Sequence, residues 1–199
     1  MNLVRAPKTT KGNRTRERVF DEARRIIVEQ GFDALAMRDL AQRCDMQLGN
    51  LQYYFATRDS VAMAVIAAEA ERDISAVNDV MQSHDDPQLA LTLIVHSLFA
   101  RWRGESGLIF ATLTYLCLHK PEFVDLKRQI YATFYKSLES VIRSLDTKAA
   151  PAEVRLRVAL ITAVIDGSVH QITGGSKTFV NGVAATVVEI ACGRVRSGS

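Results

Sequence analysis

Apolar residues recur at spacings of three and four along most of the chain, which is the period of an α-helix with one buried side. The stripe is clearest near the N-terminus, where Val19, Ala23 and Ile26 with Ile27 repeat once per turn and Gly31 follows as a stop signal. No segment shows the two-residue alternation of strands between turn signals. The pattern predicts an all-α protein of about nine helices.

Polar, proline and glycine breaks set the expected helix boundaries. Asp86-Pro87 is typical of a helix start, Pro121 opens another helix, and Gly174-Gly175 ends one. Thr57 is predicted to cap the fourth helix. The predicted helices cover about 13 or 15–30, 37–44, 47–54, 58–82, 87–103, 108–119, 121–145, 152–172 and 179–194.

The two short helices at 37–44 and 47–54 have the spacing of a helix-turn-helix. At about 100° per residue, Leu51 and Phe55 point together toward the first two helices. Gly49 and Tyr53 point the opposite way. A helix that reads DNA needs one face that anchors it and another that meets base edges. The second short helix is therefore predicted to be a recognition helix.

The exposed positions of this segment carry suitable chemistry for DNA. Asn and Gln can pair with adenine, a leucine can touch a thymine methyl group, and tyrosine hydroxyls can donate to phosphates. An arginine beside a helix N-terminus can hold a phosphate. A plain helix pair packed in a bundle is the alternative. The candidate DNA-binding residues are Arg38, Gln47, Leu48, Gly49, Asn50, Gln52, Tyr53, Tyr54, Thr57 and Arg58.

Charge is distributed unevenly. The net charge is only +3, but residues 1–18 carry six basic side chains and one acidic one, whereas the remainder carries 19 basic and 21 acidic ones. A basic N-terminal arm that contacts phosphates accounts for this distribution. A solvated tail is the alternative.

The two short helices and the residues around them resemble the N-terminal signature of the TetR family of transcriptional regulators, over about residues 14–65. The resemblance implies a homodimer that binds a palindromic operator in double-stranded DNA and is released by a small molecule. The chain departs from the family pattern at Ala36, Asp45, Gln47 and Gln52, so the operator sequence cannot be carried over. The matching residues are Thr15-Arg16, Ala23, Gly31-Phe32, Met37-Arg38-Asp39-Leu40-Ala41, Gly49, Leu51, Tyr53, Phe55 and Thr57-Arg58-Asp59.

This resemblance suggests three parts: a basic arm at 1–13, a DNA-binding domain at 14–60, and a ligand-binding and dimerisation domain at 61–199. Any effector pocket is expected among apolar and aromatic residues inside helices four to seven. An ordinary core has the same appearance in sequence. The candidates are Met63, Ile66, Phe99, Trp102, Phe110, Leu113, Tyr115, Cys117, Tyr131, Phe134 and Tyr135.

Helices eight and nine are predicted to form the dimer surface as a four-helix bundle across a two-fold axis. Burial within one subunit is the alternative. The expected contact residues are Leu156, Leu160, Ala163, Val164 and Gly167 on helix eight, and Val180, Val183, Ala184, Val187, Val188 and Ala191 on helix nine.

Other functional classes find little support. The three cysteines are far apart, which disfavours a disulfide framework or a zinc site and suits a reducing cytoplasm. Asp166 with His170 is interpreted as a surface or seam contact rather than a catalytic pair, and 174–178 as a loop rather than a phosphate cradle. We expect no cofactor, no metal, no membrane association and no enzymatic activity. An activator, a regulator without a ligand, and a helical enzyme or carrier remain alternatives.

Overall fold

The computed structural model describes residues 10–171 and 176–194, and within these ranges it contains nine α-helices and one short 3-10 helix, with no strand. The predicted all-α class is confirmed. The helices are α1 (Thr10–Gln30), α2 (Met37–Arg43), α3 (Leu48–Tyr54), α4 (Arg58–Ser83), α5 (Pro87–Trp102), α6 (Glu105–Cys117), α7 (Pro121–Leu145), α8 (Pro151–Gln171) and α9 (Lys177–Ala191), with the 3-10 helix at Phe32–Ala34.

Helices α1 and α6 begin at least three residues earlier than predicted. Helix α1 starts at Thr10, inside the predicted arm; the sequence pattern did not predict this start, because residues 10–18 contain no apolar side chain that would mark a helix face. Helix α6 starts at Glu105 rather than at Leu108, so the predicted turn at 104–107 is wrong. An acidic residue in the first turn stabilises a helix start through the macrodipole, and this outweighs the low helix propensity of Gly107.

The chain packs into two compact units, each described here by itself. The head unit comprises residues 1–70 and 105–128, and the body unit comprises 71–104 and 129–199. Helices α4 and α7 contribute residues to both units, whereas α6 belongs entirely to the head unit. The predicted boundaries at 13 and 60 concern function rather than packing, so they remain a prediction.

The core of the head unit brings α1, α2 and α3 together. Val19 and Ile26 of α1, Leu40 of α2, and Leu51 and Phe55 at α3 are each at most 1% exposed. Full burial of such a side chain stabilises the fold by about 1.5–3 kcal/mol. The apolar stripe predicted for the first helix therefore forms the platform on which the short helix pair rests.

The body unit is built on α5, α8 and α9, which contact one another directly. The α9 stripe that was predicted to form the dimer surface is instead buried in this core, against α5 and α8 of the same subunit, so that part of the prediction is wrong. The stripe is apolar because it fills the contact between α9 and helices α5 and α8 of the same subunit. Its residues are Val180, Val183, Ala184, Val187, Val188 and Ala191.

A buried arginine closes one corner of the body unit. The Arg157 side chain is 8% exposed and donates to Asp146 at 3.0 Å, to the Ala191 carbonyl at 3.1 Å and to Glu153. Desolvation lowers the pKa of Arg157, but hydrogen bonds to Glu153 and Asp146 outweigh it and leave that pKa raised. Gly193 lies against the guanidinium group, with a φ of 68°. The end of α9 is thus tied to α8 and to the end of α7.

Candidate nucleic-acid interface

A tight turn joins α2 to α3. The Met46 amide donates to the Ala41 carbonyl and the Asp45 amide donates to the Gln42 carbonyl, both at 3.0 Å. This is the Schellman arrangement, in which the residue after the helix end adopts a left-handed conformation. Asp45 does so with a φ of 48°. Asp45 thus adopts a backbone conformation that glycine usually holds, and the helix-turn-helix geometry is kept.

Arg18 supports this turn from α1. Its guanidinium donates to the Cys44 carbonyl at the end of α2 and lies 3.6 Å from the Asp45 carboxylate. The Cys44 thiol is itself buried, and this burial raises its pKa. Arg18 therefore has a structural role in the head. Its place among the basic residues near the N-terminus did not predict this role.

The remaining basic residues near the N-terminus have different environments. Arg16 stacks on Phe20, with its guanidinium carbon 5.0 Å from the ring centroid, whereas Arg14 is exposed. Arg5 and Lys8 lie outside the described residues, so a phosphate-contacting arm remains a prediction.

The inner face of α3 is anchored as predicted. Leu51 is fully buried and Phe55 is 1% exposed. The Phe55 ring packs edge-to-face on Phe20 of α1, with centroids 5.7 Å apart. Because both anchors are held by the core, the recognition helix is presented on a rigid base.

The outer face of α3 is open. Tyr53 is 60% exposed, and its ring meets that of the half-buried Tyr54 at 5.4 Å, edge-to-face. Space around Gly49 is empty to 4 Å, so the backbone can approach a ligand closely. A helix with polar and aromatic groups outside and apolar groups inside can enter a major groove. The exposed candidates are Arg38, Gln47, Gly49, Asn50, Gln52, Tyr53 and Thr57, while Leu48, Tyr54 and Arg58 are half-buried.

The start of α4 is capped as predicted, and the two preceding helices are not. The Ser60 amide donates to the Thr57 hydroxyl, and the Thr57 amide donates to the Ser60 hydroxyl, both at 3.1 Å. This reciprocal pair is a capping box with serine in the place of glutamate. Ala36 and Gln47 provide no side-chain cap for α2 and α3. The Thr57 hydroxyl is therefore engaged in the fold.

Arg58 has a partner that the sequence did not predict. Its guanidinium carbon lies 4.3 Å from the centre of the Phe32 ring, a cation–π contact. The Lys120 ammonium lies 5.4 Å from the same ring and 2.5 Å from the Asp59 carboxylate. Among the described residues, Asp59 Oδ1 is buried without a hydrogen-bond partner. The loop between α6 and α7, which contains Lys120, is thereby linked to the start of α4.

A second polar cluster links the other end of α6 to the head. Arg24 of α1 donates to the buried Glu69 of α4 at 3.0 Å and to Glu105 at the start of α6. Ser106 also donates to Glu69. Partial burial lowers the pKa of Arg24, but the hydrogen bonds to the two glutamates outweigh it and leave that pKa raised. The start of α6 is therefore held to α1 and α4, and the loop after its end is held to the start of α4.

No local sequence pattern predicts these two polar links. Asp59 and Lys120 are 61 positions apart, and Arg24 and Glu105 are 81 apart. One local signal does exist: Glu69 is a charged residue on the buried side of α4, and such a residue needs a polar partner. Pairing partners so distant in sequence requires the fold.

Six of the effector-site candidates lie in the head unit. Ile66 and Leu113 are buried, while Met63, Phe110 and Cys117 are half-buried. Tyr115 is 51% exposed, which differs from its predicted interior position, because α6 turns this side away from the core.

The other five candidates lie in the body unit. Phe99 belongs to its apolar core, and Trp102, Phe134 and Tyr135 pack against that core. Tyr131 donates to Asp166, and its ring meets that of Tyr135 at 5.9 Å. Asp166 thus contacts a tyrosine on α7, while the side chain of His170, its predicted neighbour, lies outside the described residues.

Trp102 also donates to Asp73, at 2.6 Å, and Arg101 pairs with the same carboxylate. Asp73 is 4% exposed, so these hydrogen bonds offset the cost of burying its charge. The body unit therefore contains aromatic rings together with polar groups, the mixture that ligand sites use. The role of these residues in binding an effector remains a prediction.

Within the described part of the chain, no group of three or more His, Cys, Asp or Glu side chains is placed to hold a metal ion. None of the described helices is both long and apolar enough to cross a membrane.

Comparison with known proteins points in the same direction as the geometry. Residues 19–65 match the family model described as bacterial regulatory proteins, tetR family. The chain is 22% identical over 166 residues to the HTH-type transcriptional regulator PksA of Bacillus subtilis, covering 81% of this chain and 80% of that protein. It is 29% identical over 66 residues to the HTH-type transcriptional regulator UidR of Escherichia coli, covering 33% and 34% of the two chains.

Solved structures share the fold across nearly the whole chain. A TetR-family regulator from Mesorhizobium loti superposes with a TM-score of 0.77 at 12% identity, covering 94% of this chain and 98% of that one. A Saccharomonospora viridis regulator in complex with choline gives 0.71 at 15%, covering 88% and 94%. Bacillus subtilis FadR in complex with stearoyl-CoA gives 0.69 at 16%, covering 90% and 99%.

The matched segment contains the helix-turn-helix and the start of α4, and the fold beyond it is that of solved regulators. Residues 19–65 of this chain, with the exposed outer face of α3 on an apolar base, are therefore a DNA-binding segment of the bacterial regulatory proteins of the tetR family.

Proposed function

We propose that this regulator is a homodimeric repressor that binds a palindromic operator and is released by a small-molecule effector. The observation that carries the DNA-binding part is the outer face of α3, where polar and aromatic groups are exposed above fully buried anchors. We also propose that it acts in the cytoplasm, where operator DNA is found.

DNA recognition is tested by selecting binding sites from random double-stranded DNA and measuring affinity by fluorescence anisotropy. We expect two inverted half-sites about 10–10.5 base pairs apart, centre to centre, or a multiple of that. Gln52→Ala should relax base preference, whereas Tyr53→Ala should weaken binding to all sequences. Gln129→Ala, an exposed glutamine on α7, is the control. Equal affinity and salt dependence for Tyr53→Ala and the unsubstituted protein would contradict this assignment.

The proposed dimer surface combines exposed residues of α8 and α9. Leu156 and Leu160 are 55% and 42% exposed on α8, and Ala163 and Gly167 continue the same face. On α9, the proposed dimer contact uses the exposed Gly182 and the small residues beside it, rather than the buried stripe that the sequence suggested. Small side chains allow helices to approach closely, which favours a four-helix bundle with a second copy.

This surface is tested by Leu160→Arg, with light scattering as the measurement of mass. Burying an unpaired charge in a dimer interface costs several kcal/mol, so we expect monomers at micromolar concentration. The matched control is Leu89→Arg, since Leu89 is 46% exposed on α5. A dimer that tolerates Leu160→Arg as well as Leu89→Arg would contradict the α8–α9 surface.

An effector is proposed because α5 and α7 supply the aromatic rings of Trp102 and Phe134 and α4 supplies the buried Asp73, and because two regulators of the same fold are described in complex with choline and with stearoyl-CoA. These two compounds are suitable first probes in thermal unfolding. A ligand at 100 times its Kd stabilises a protein by about 2.7 kcal/mol. A true effector should also lower operator affinity, because it binds the DNA-free state better. A stabilising ligand that leaves the DNA complex intact does not act as the proposed inducer.

Repression is tested with a reporter placed behind the selected operator. Expression of the regulator should lower the signal, and Tyr53→Ala should restore it. A signal that rises with the regulator would indicate activation instead.

A further inference from the structure

The outer face of α6 is apolar and exposed. Leu108 and Tyr115 on the helix are each 51% exposed, and Leu118, just after the helix end, is 76% exposed. Ala111 lies between Leu108 and Tyr115 in the same stripe. At about 100° per residue Leu108, Ala111 and Tyr115 fall within roughly 60° of one another, and Leu118 follows directly after the helix end. We call them the α6 stripe.

The opposite side of α6 already has its partners. Ser106, Ile109, Leu113 and Leu116 are buried in the head unit. From Ser106 to His119 the sequence contains no Asp, Glu, Lys or Arg, so α6 lacks the charged outer face of an ordinary surface helix. A helix that is apolar all round is typical of a buried element. The α6 stripe should therefore be covered in the working assembly.

We propose that the α6 stripe packs against the α6 stripe of a second copy of this chain, with the two helices antiparallel. This inference rests on the homodimer of the proposed function and adds a second contact to it. A two-fold axis at the level of Leu113 places Leu108 opposite Leu118 of the other copy and Ala111 opposite Tyr115. The small residue then faces the large one, which allows the side chains to interdigitate.

Charge complementarity supports the antiparallel arrangement. Each helix has Glu105 at its start, which pairs with Arg24 but keeps a side chain 62% exposed, and just after its end has the exposed His119 and the Lys120 that pairs with Asp59. An antiparallel pair brings the acidic end of one helix beside the basic end of the other, and it also opposes the two helix dipoles favourably. A parallel pair would place like ends together. Between the ends, no like charges meet.

The contact would bear on DNA binding because α6 belongs to the head unit. Arg24 with Glu69 and Glu105 holds one end of the helix, and Lys120 with Asp59 holds the other. Two copies joined through α6 would therefore have a fixed distance between their recognition helices. An operator with two half-sites requires such a distance.

Disulfide trapping tests the register. In a Cys117→Ser, Cys192→Ser background, the Leu108→Cys/Leu118→Cys double variant should form a covalent dimer under mild oxidant, because the paired Cα atoms would lie within the 4.4–6.8 Å range that a disulfide needs. Each single variant should give little, since equivalent positions lie about 15 Å apart along the helix. No covalent dimer from the double variant, or equal trapping by the single variants, overturns the proposal.

DNA binding provides the second readout. Tyr115→Glu places two carboxylates near the axis and should lower affinity for the two-half-site operator at least about tenfold, while affinity for a single half-site stays unchanged. Tyr115→Phe should behave as the unsubstituted protein, and Val124→Glu, at a 38% exposed site on α7, is the control. Equal affinity of Tyr115→Glu and Val124→Glu for the full operator overturns the proposal.

The two proposals fail separately. If Leu160→Arg gives monomers and the unsubstituted dimer shows no α6 trapping, the α8–α9 dimer stands and the α6 contact is wrong. If trapping succeeds, Leu160→Arg remains a dimer and Tyr115→Glu alone gives monomers, the α6 contact stands and the α8–α9 surface is wrong.

Discussion

The two compact units of this protein are stabilised differently. Each unit has a buried apolar core, and that of the body unit is shared by α5, α7, α8 and α9. The polar contacts differ: those of Arg24 and Lys120 in the head unit join residues 45 to 81 positions apart in sequence, whereas those of Arg157 and Asp73 in the body unit join residues 4 to 34 positions apart. Apolar burial is non-directional, but hydrogen-bonded pairs fix the relative orientation of the groups they join. The head therefore uses polar contacts to orient segments that are distant in sequence.

The largest effect that tests this comparison should come from the body core. Phe99 is 1% exposed, and Phe99→Ala should lower the free energy of unfolding by about 3–5 kcal/mol, because it removes apolar contact and leaves a cavity. Urea denaturation followed by circular dichroism measures the change. Phe179→Ala is the control, since Phe179 is 38% exposed on α9 and should cost far less. Similar losses from the two variants would contradict an apolar core as the main support.

The next effect concerns the polar network of the head. Glu69→Leu removes a carboxylate that is 2% exposed and leaves Arg24 and Ser106 with fewer partners. We expect the free energy of unfolding to fall by about 3–5 kcal/mol if Arg24 stays partly buried, and by less if Arg24 turns to solvent. Glu105→Leu, at a site 62% exposed, should cost under about 1 kcal/mol. Amide hydrogen exchange of α1 and α6 would locate the loss, and an unchanged exchange pattern would show that the network does not hold them.

A smaller effect of opposite sign is expected at the turn between α2 and α3. Asp45→Gly should stabilise the head by about 0.5–1 kcal/mol, because a φ of 48° is strained for a residue with a Cβ. Asp45→Ala should not stabilise it, and this variant is the control for loss of the carboxylate near Arg18. A glycine variant that is less stable than the native protein would show that the Arg18 contact outweighs the strain.

The smallest effect is a pH dependence. Burial raises the pKa of the Cys44 thiol, so the folded state keeps its proton to higher pH than the unfolded state does. Stability from this group is complete below the thiol's unfolded pKa of about 8.5 and is lost as pH rises through the folded value. Cys44→Ser should show a weaker decline in stability above that pH. Thiol-reagent kinetics on a Cys117→Ser, Cys192→Ser background should show slow reaction when folded and fast reaction in urea.

Much of the fold was predictable because its signals are local. The period of α1, the Pro121 start of α7 and the Thr57 cap of α4 each depend on residues a few positions apart, and each is confirmed. The anchoring pair Leu51 and Phe55 is buried as predicted for the same reason. Helical periodicity states which side of a helix is apolar, and here the apolar side of α3 faces the core.

The sequence could not show which neighbour each apolar side meets. The α9 stripe that looked like a dimer surface fills the core of its own subunit, and Tyr115 faces solvent rather than the interior. The predicted phosphate contact of Arg58 stays a prediction, but its stacking on Phe32, a residue of the 3-10 helix, could not be read from the pattern. Such partners depend on tertiary contacts.

Two helix ends in this protein have the same backbone turn with different residues in it. Asp45 holds the position after α2, and Gly193 holds it after α9, where a Cβ would run into the Arg157 guanidinium. In a saturation mutagenesis screen, position 45 should tolerate several residues and improve with glycine. Position 193 should accept glycine alone, although solvent exposure would mark it as freely variable. Exposure is therefore a poor guide to mutational tolerance where a side chain from another helix lies over a left-handed turn.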